Sequence, residues 1–252
     1  MKLGLIGAGN MASALARGIG EPVLVSDIDR PRALALAEQL GGEAVESNAE
    51  LAERADAVLL CHKPKQLGEV AAEVAGHTDT VVSILAATST ESVSAAYPGA
   101  AVYRFIPNMP AEVGRGVLCY VPGPGASEGP EEEILSLMGR AGEVIALEDE
   151  PLIEPAMALM SCGPAFMALW AEGFADAGAA HGLDRATAMR MVVETMAGSA
   201  AWLAEHGYDG AELRRRVATP GGATERGLIA LEEGGLRELA RSAVDVVVEG
   251  TR

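Results

Sequence analysis

The chain has 252 residues, 49% of them hydrophobic, with a formal net charge of −17 and only 4% aromatics. That length allows one large domain or two small ones. The acidity argues against wrapping nucleic acid, which needs a basic face, and no uninterrupted apolar run reaches the roughly 18 residues of a membrane span. The three cysteines Cys61, Cys119 and Cys162 lack metal-ligand spacing, so no metal is expected. Met1-Lys2 runs straight into a strand pattern without a signal peptide, and the expected location is the cytoplasm.

In chain order, Lys2 to Ile6 is a short apolar strand, followed by Gly7-Ala8-Gly9-Asn10-Met11-Ala12 and a helix with Met11, Leu15 and Ile19 on one face. This is G-x-G-x-x-A between a strand and a helix. The first glycine permits the tight turn, the second admits a pyrophosphate to the backbone, and Ala12 lets the helix sit close to the sheet. Asp27 ends a second strand, Val23 to Ser26, twenty positions after Gly7. An acid there accepts hydrogen bonds from the adenosine ribose of NAD, whereas the nearby Arg30 and Arg32 suit the 2′-phosphate of NADP. Ser26 and Asp27 also suit capping of a helix starting near Pro31.

Helix and strand patterns then alternate. Helices are expected over Arg32 to Leu40, Asn48 to Arg54, Gln66 to Ala75 and Glu91 to Tyr97, with strands over Ala57 to Cys61, Thr80 to Leu85 and Ala101 to Ile106. Such alternation builds a doubly wound, mostly parallel sheet whose ligands sit at the carboxyl ends of the strands. Those ends carry Gly7, Asp27, His62-Lys63, Ala86-Ala87 and Pro107-Asn108. Cys61-His62 has no further Cys or His at a useful spacing for a metal. Strands are also expected at Val117 to Val121 and Val144 to Leu147, flanking a helix from Glu131 to Met138.

Beyond Glu148 the strand signals end. Helices are expected over Pro151 to Met160, Pro164 to His181, Arg185 to His206, Gly210 to Ala218, Thr224 to Glu233 and Gly235 to Val248. The fold class is therefore α/β: a Rossmann-type domain over residues 1–148 and an all-helical domain over residues 149–252. Two of those helices are long, rich in small residues and apolar (Met167, Phe174, Met189, Val192, Val193, Met196, Trp202), which points to a homodimer interface. Within the helical half, Val217 to Gly227 contains Pro220, Gly221 and Gly222 ahead of a helix. A glycine turn feeding a helix N-terminus offers free N–H groups to an anion, and Thr224 adds a hydroxyl there, or else caps the helix locally.

Read together, these motifs resemble the pyrroline-5-carboxylate reductase family over nearly the whole chain. The resemblance is carried by Ile6-Gly7-Ala8-Gly9-Asn10-Met11, Lys63-Pro64, Ser83 to Ala87, Arg104 to Ala111, Ser161-Cys162-Gly163-Pro164-Ala165 and, most specifically, Thr219-Pro220-Gly221-Gly222-Ala223-Thr224. It departs at Met109, where the family has Thr, at Met160-Ser161, where it has Ser-Gly, and at Thr219, where it has Ser. The resemblance implies reduction of Δ1-pyrroline-5-carboxylate to L-proline by NADPH or NADH, in subunits that intertwine through the helical domain and often assemble to decamers. It implies cofactor contacts from Gly7, Ala8, Gly9, Asn10, Met11, Ser26, Asp27, Asn48, Lys63 and Ala86, and Ile6, His62, Pro64 and Asn108 at the strand ends are expected to join them. Gly221, Gly222, Ala223 and Thr224 would bind substrate, Thr224 as the catalytic hydroxyl. A reductase of another cyclic imine and a non-catalytic dinucleotide sensor are the competing readings. The helical half has no lysine, which disfavours the similar 3-hydroxyacid dehydrogenases. Arg214-Arg215-Arg216 is either a solvated face or a cationic mouth for the substrate.

Overall fold

The structure is a computed structural model and describes residues 1–250. By packing it divides into two compact units, 1–164 and 165–250.

The first unit is built on one eight-stranded sheet. Its elements are β1 (Leu3–Ile6), α1 (Asn10–Ile19), β2 (Leu24–Ser26), α2 (Arg30–Leu40), β3 (Glu43–Ala44), α3 (Asn48–Arg54), β4 (Ala57–Leu60), α4 (Leu67–Val74), β5 (Thr80–Ser83), α5 (Thr90–Ala96), β6 (Ala101–Ile106), β7 (Gly116–Pro122), α6 (Glu131–Met138), β8 (Gly142–Ala146) and α7 (Ile153–Met160). The strand order is β3-β2-β1-β4-β5-β6-β7-β8. The first six strands are parallel, and β7 runs antiparallel to β6. The two-residue β3 carries no sequence signal of its own: it pairs at the sheet edge with Leu24 and Val25.

Both faces of the sheet are covered, as a parallel sheet requires. Leu3, Leu5, Val25, Leu59 and Phe105 pack on one side with Leu15, Ile19, Leu36 and Ile134 from the helices. Ile6, Leu24, Val58, Leu60 and Val81 pack on the other with Leu51, Val70, Val74 and Val93. Alternate residues of one strand thus serve opposite layers. At β1 the order reverses, with β2 on one side and β4 on the other, and the crevice at such a switch point is where an α/β sheet binds its ligand.

The change of sequence pattern near Glu148 and the packing boundary differ, because α7 stays with the sheet. Ile153 buries against Ile106 and Val121, with Met157 and Met160 alongside. Glu150 ties the segment leading into α7 to the sheet: its carboxylate takes hydrogen bonds from Thr90 N (2.7 Å), Thr90 Oγ1 (3.0 Å) and Arg104 Nη1 (2.5 Å). Burial alone would raise the Glu150 pKa, but the bonds from Arg104 and Thr90 outweigh it and hold the carboxyl below its ordinary value.

The second unit contains most of α8 (Gly163–Ala180), then α9 (Arg185–Glu205), α10 (Gly210–Val217), α11 (Ala223–Glu233) and α12 (Leu236–Gly250). Asp184 and Asp209 cap α9 and α10 through backbone N–H groups. The unit leaves much apolar surface open: Met167, Leu169, Trp170, Phe174, Met191, Val193, Ile229 and Leu239 are all exposed. Residues 150–180 are helical for most of their length and, by length and composition alone, sufficient to cross a membrane. The uncharged stretch between Glu154 and Glu172 falls just short of the roughly 18 residues of a span.

Candidate functional site

A cleft of about 800 Å³ opens at the carboxyl ends of β1, β2, β4 and β5. Gly7 turns the chain out of β1 at φ +106°, and a Cβ there would stand 2.8 Å from the Cys61 carbonyl oxygen. Both its conformation and its space demand glycine. Gly9 is different. Its φ is −68° and a Cβ would meet nothing within 4 Å, so neither strain nor packing within the chain requires glycine. It is the N-cap of α1, no side chain caps that helix, and no acid sits in its first turn. The uncapped first-turn N–H groups therefore face open space in the cleft, which suits a pyrophosphate.

Asp27 is not a helix cap. Asp29 caps α2 by accepting from Arg32 N. The Asp27 carboxylate instead accepts from Ala8 N at 2.6 Å and from Asp29 N at 2.7 Å, bracing the glycine turn against the loop after β2. The arginines beside it are engaged. Arg30 donates to the Val45 carbonyl (2.7 Å) and Glu46 (2.6 Å), and Arg32 pairs with Asp29 at 3.2 Å.

Ile6, Gly7, Gly9, Asn10, Met11, Ser26, Asp27, Asn48, His62, Lys63, Pro64 and Ala86 all line the cleft. Ala8 is buried behind it, offering its N–H to Asp27. Asn108 is not among the lining residues. It is 5% exposed; its Nδ2 donates to the Met160 carbonyl (2.8 Å) and its Oδ1 accepts from Val117 N (2.9 Å). Its amide joins the end of β6 to β7 and to the end of α7. Met109 is not among the lining residues either. Asn48 donates to Glu73, and the Lys63 ammonium has no ion-pair partner among the described residues. The His62 Nδ1 lies 2.9 Å from the Lys63 carbonyl, and burial pushes the imidazole below its ordinary pKa, so it is neutral at pH 7. Burial likewise raises the Cys61 thiol, leaving it protonated. Ile28, Arg32, Glu46, Ser47, Glu69 and Glu73 also line the cleft. Sequence reading missed the glutamates, because nothing in a helix pattern says which surface acids face a crevice.

In the second unit, Gly221 takes φ +71° and a Cβ on Gly222 would stand 2.5 Å from Thr219 Oγ1. Gly222 is the N-cap of α11 and no side chain caps it. Gly222 N donates to the Thr219 carbonyl at 2.9 Å. Gly221 N donates to Glu225 Oε2 at 2.7 Å, and the Gly221 carbonyl accepts from Arg226 Nη1 at 2.8 Å. Of the four residues named from the sequence, Gly221 and Gly222 thus spend their N–H groups inside the turn. Ala223 and Thr224 occupy the first turn of α11, where N–H groups lack helical acceptors. The Thr224 hydroxyl has no hydrogen-bond partner among the described residues and is not a local cap. Arg215 and Arg216 pair with Glu212, and the Arg216 guanidinium sits 5.5 Å from the Trp202 ring centre.

The strand order, the glycine turn at the switch point and the uncapped helix behind it define a Rossmann-type dinucleotide-binding protein with a helical second unit. Comparison with known proteins narrows this. Residues 150–252 match the family described as pyrroline-5-carboxylate reductase dimerisation, and residues 2–87 match NADP oxidoreductase coenzyme F420-dependent. The chain is 32% identical to pyrroline-5-carboxylate reductase of Corynebacterium melassecola, covering 93% of this chain and 92% of that one. It is 31% identical to pyrroline-5-carboxylate reductase 3 of Mus musculus, covering 97% and 92%. A solved pyrroline-5-carboxylate reductase from Coxiella burnetii superposes with a TM-score of 0.90 at 28% identity, over 99% of this chain and 96% of that one. A Plasmodium falciparum pyrroline carboxylate reductase with NADP bound has the same fold, with a TM-score of 0.86 at 24% identity over 100% and 97%. The chain belongs to the pyrroline-5-carboxylate reductase family, NAD(P)H-dependent oxidoreductases whose helical region serves dimerisation.

Proposed function

We propose that this chain reduces Δ1-pyrroline-5-carboxylate to L-proline, the last step of proline biosynthesis. Bound reduced nicotinamide would supply the hydride, which goes to the carbon of the C=N bond, and the ring nitrogen ends as an amine. A cyclic iminium is already a good hydride acceptor, so the protein's work is orientation and management of one proton at the nitrogen.

The glycine turn, α1 and Lys63 would hold the dinucleotide. Gly221 and Gly222 shape the turn before α11, the Ala223 and Thr224 N–H groups would receive the substrate carboxylate, and the Thr224 hydroxyl would meet the ring nitrogen. The observation that carries the reading is that free hydroxyl at an uncapped helix start.

Thr224→Val tests it by removing the hydroxyl and keeping the shape. A lost hydrogen bond to a charged partner is worth about 1.5–3 kcal/mol, which lowers kcat/KM by about 10- to 150-fold. An unchanged kcat/KM would reject the role.

The functional division proposed is 1–148 for the dinucleotide and 149–252 for dimerisation and substrate. The exposed Met167, Trp170, Phe174 and Met191 of α8 and α9 would be covered by a second copy of the chain. The α8 part of the apolar stretch belongs to that subunit contact and not to a membrane, since it falls in the part matched by the dimerisation family, while α7 packs on the sheet. Assembly of dimers to a decamer, a cytoplasmic location and the absence of nucleic-acid partners complete the proposal.

A further inference from the structure

We infer that this chain selects NADH against NADPH, and that Asp27 and Glu46 set the choice. The inference rests on the dinucleotide reading of the cleft and goes beyond it, because the matching N-terminal family is described as an NADP oxidoreductase.

The two nucleotides differ only at the adenosine ribose, where NADP carries a 2′-phosphate and NAD a hydroxyl. In a Rossmann sheet that ribose lies at the end of the second strand. Here that end presents Asp27, whose two oxygens are fixed by the Ala8 and Asp29 N–H groups. Swinging the carboxylate away to admit a phosphate would strip two backbone donors and release the glycine turn. Each oxygen keeps a free lone pair, so the fixed carboxylate accepts a ribose hydroxyl well and repels a phosphate.

The two arginines beside Asp27 are each paired with an acid. Arg30 donates one bond from each terminal nitrogen, to the Val45 carbonyl at 2.7 Å and to Glu46 at 2.6 Å. Arg32 lines the cleft but pairs with Asp29, the residue that caps α2. Glu46, Glu69 and Glu73 line the same cleft and add negative charge. Ile28, directly after Asp27, is fully exposed on the lip, an apolar surface for the adenine ring. A phosphate therefore meets one fixed carboxylate, three further acids on the cleft and two arginines each already paired with an acid.

The test is equilibrium titration of the whole protein with NADH and with NADPH, without substrate, read by nicotinamide fluorescence or heat of binding. The wild-type chain should bind NADH at least about tenfold more tightly, since like charges placed together at a binding surface are strongly discriminating. Asp27→Ser should erase most of that ratio, chiefly by tightening NADPH. Because Asp27 also braces the glycine turn, Glu46→Gln serves as the second variant: it leaves the turn intact, removes the negative charge paired with Arg30, and should tighten NADPH several-fold with little change for NADH. Equal or tighter NADPH binding by the wild type would overturn the inference, as would a ratio unmoved by both substitutions. Binding of neither nucleotide would overturn the dinucleotide reading itself, which separates the two failures.

Discussion

Asn108→Ala separates two roles for one residue. Its place at a strand end makes Asn108 an expected cofactor contact, whereas in the fold its amide is spent on Val117 N and the Met160 carbonyl, at 2.9 and 2.8 Å, in a site 5% exposed. Truncation leaves a buried donor and a buried acceptor unpaired. Each such group costs about 1–3 kcal/mol, and partial rehydration of the space reduces the sum to about 2–4 kcal/mol. For a unit of this size that lowers Tm by roughly 5–15 °C. The assay is thermal unfolding followed by circular dichroism at fixed protein concentration, with NADH affinity measured on the same samples. A large fall in Tm with the Kd for NADH unchanged is the expected result. An unchanged Tm with weakened NADH binding would refute the structural role and restore the cofactor contact.

Glu225→Ala removes the acceptor of the Gly221 N–H and should raise KM for pyrroline-5-carboxylate about two- to fivefold at nearly constant kcat, the loss of one solvent-facing charged hydrogen bond. Glu225→Gln keeps an acceptor and should restore most of the affinity; equal damage from both variants would show that the brace is not the cause. Ala87 sits at φ +49° beside cleft-lining Ala86, a region that costs a side chain about 1–2 kcal/mol. After the entropic penalty of glycine, Ala87→Gly should stabilise by about 0.5–1 kcal/mol in denaturant titration, and a destabilised variant would contradict the strain. Glu150 has its pKa held below the ordinary 4.5. Its contribution is therefore present above that value and lost as pH falls through the folded value. The Tm of the wild type should fall more steeply on acidification than that of Glu150→Gln, and parallel curves would remove Glu150 from the account.

The parallel sheet was readable because each strand is an apolar run punctuated by a turn, and β6, α3 and α6 fall where their patterns begin and end. The edge strand β3 was not readable: two residues, exposed and half-buried, carry no periodicity, and pairing with β2 alone makes them a strand. The end of the sheet unit at Pro164 escaped notice for a related reason. A helical pattern does not tell whether α7 belongs to the sheet or to the helices after it; the contact of Ile153 with Ile106 and Val121 decides that. The glycine turn and its acid were legible because their spacing is dictated by the ligand's geometry. What Asp27 does with its two oxygens was not, since both partners are backbone N–H groups, which every sequence contains. The same holds at α11, where Gly221 and Thr224 were visible but the side chains of Glu225 and Arg226 holding the Gly221 peptide were not.

The most direct test of the central claim is oxidation of reduced nicotinamide by the purified full-length chain in the presence of pyrroline-5-carboxylate, followed by its ultraviolet absorbance with proline formation measured in parallel. Rapid turnover is expected, with one proline formed per nicotinamide oxidised and NADH the better substrate. Tight nucleotide binding without any turnover of this imine would contradict it.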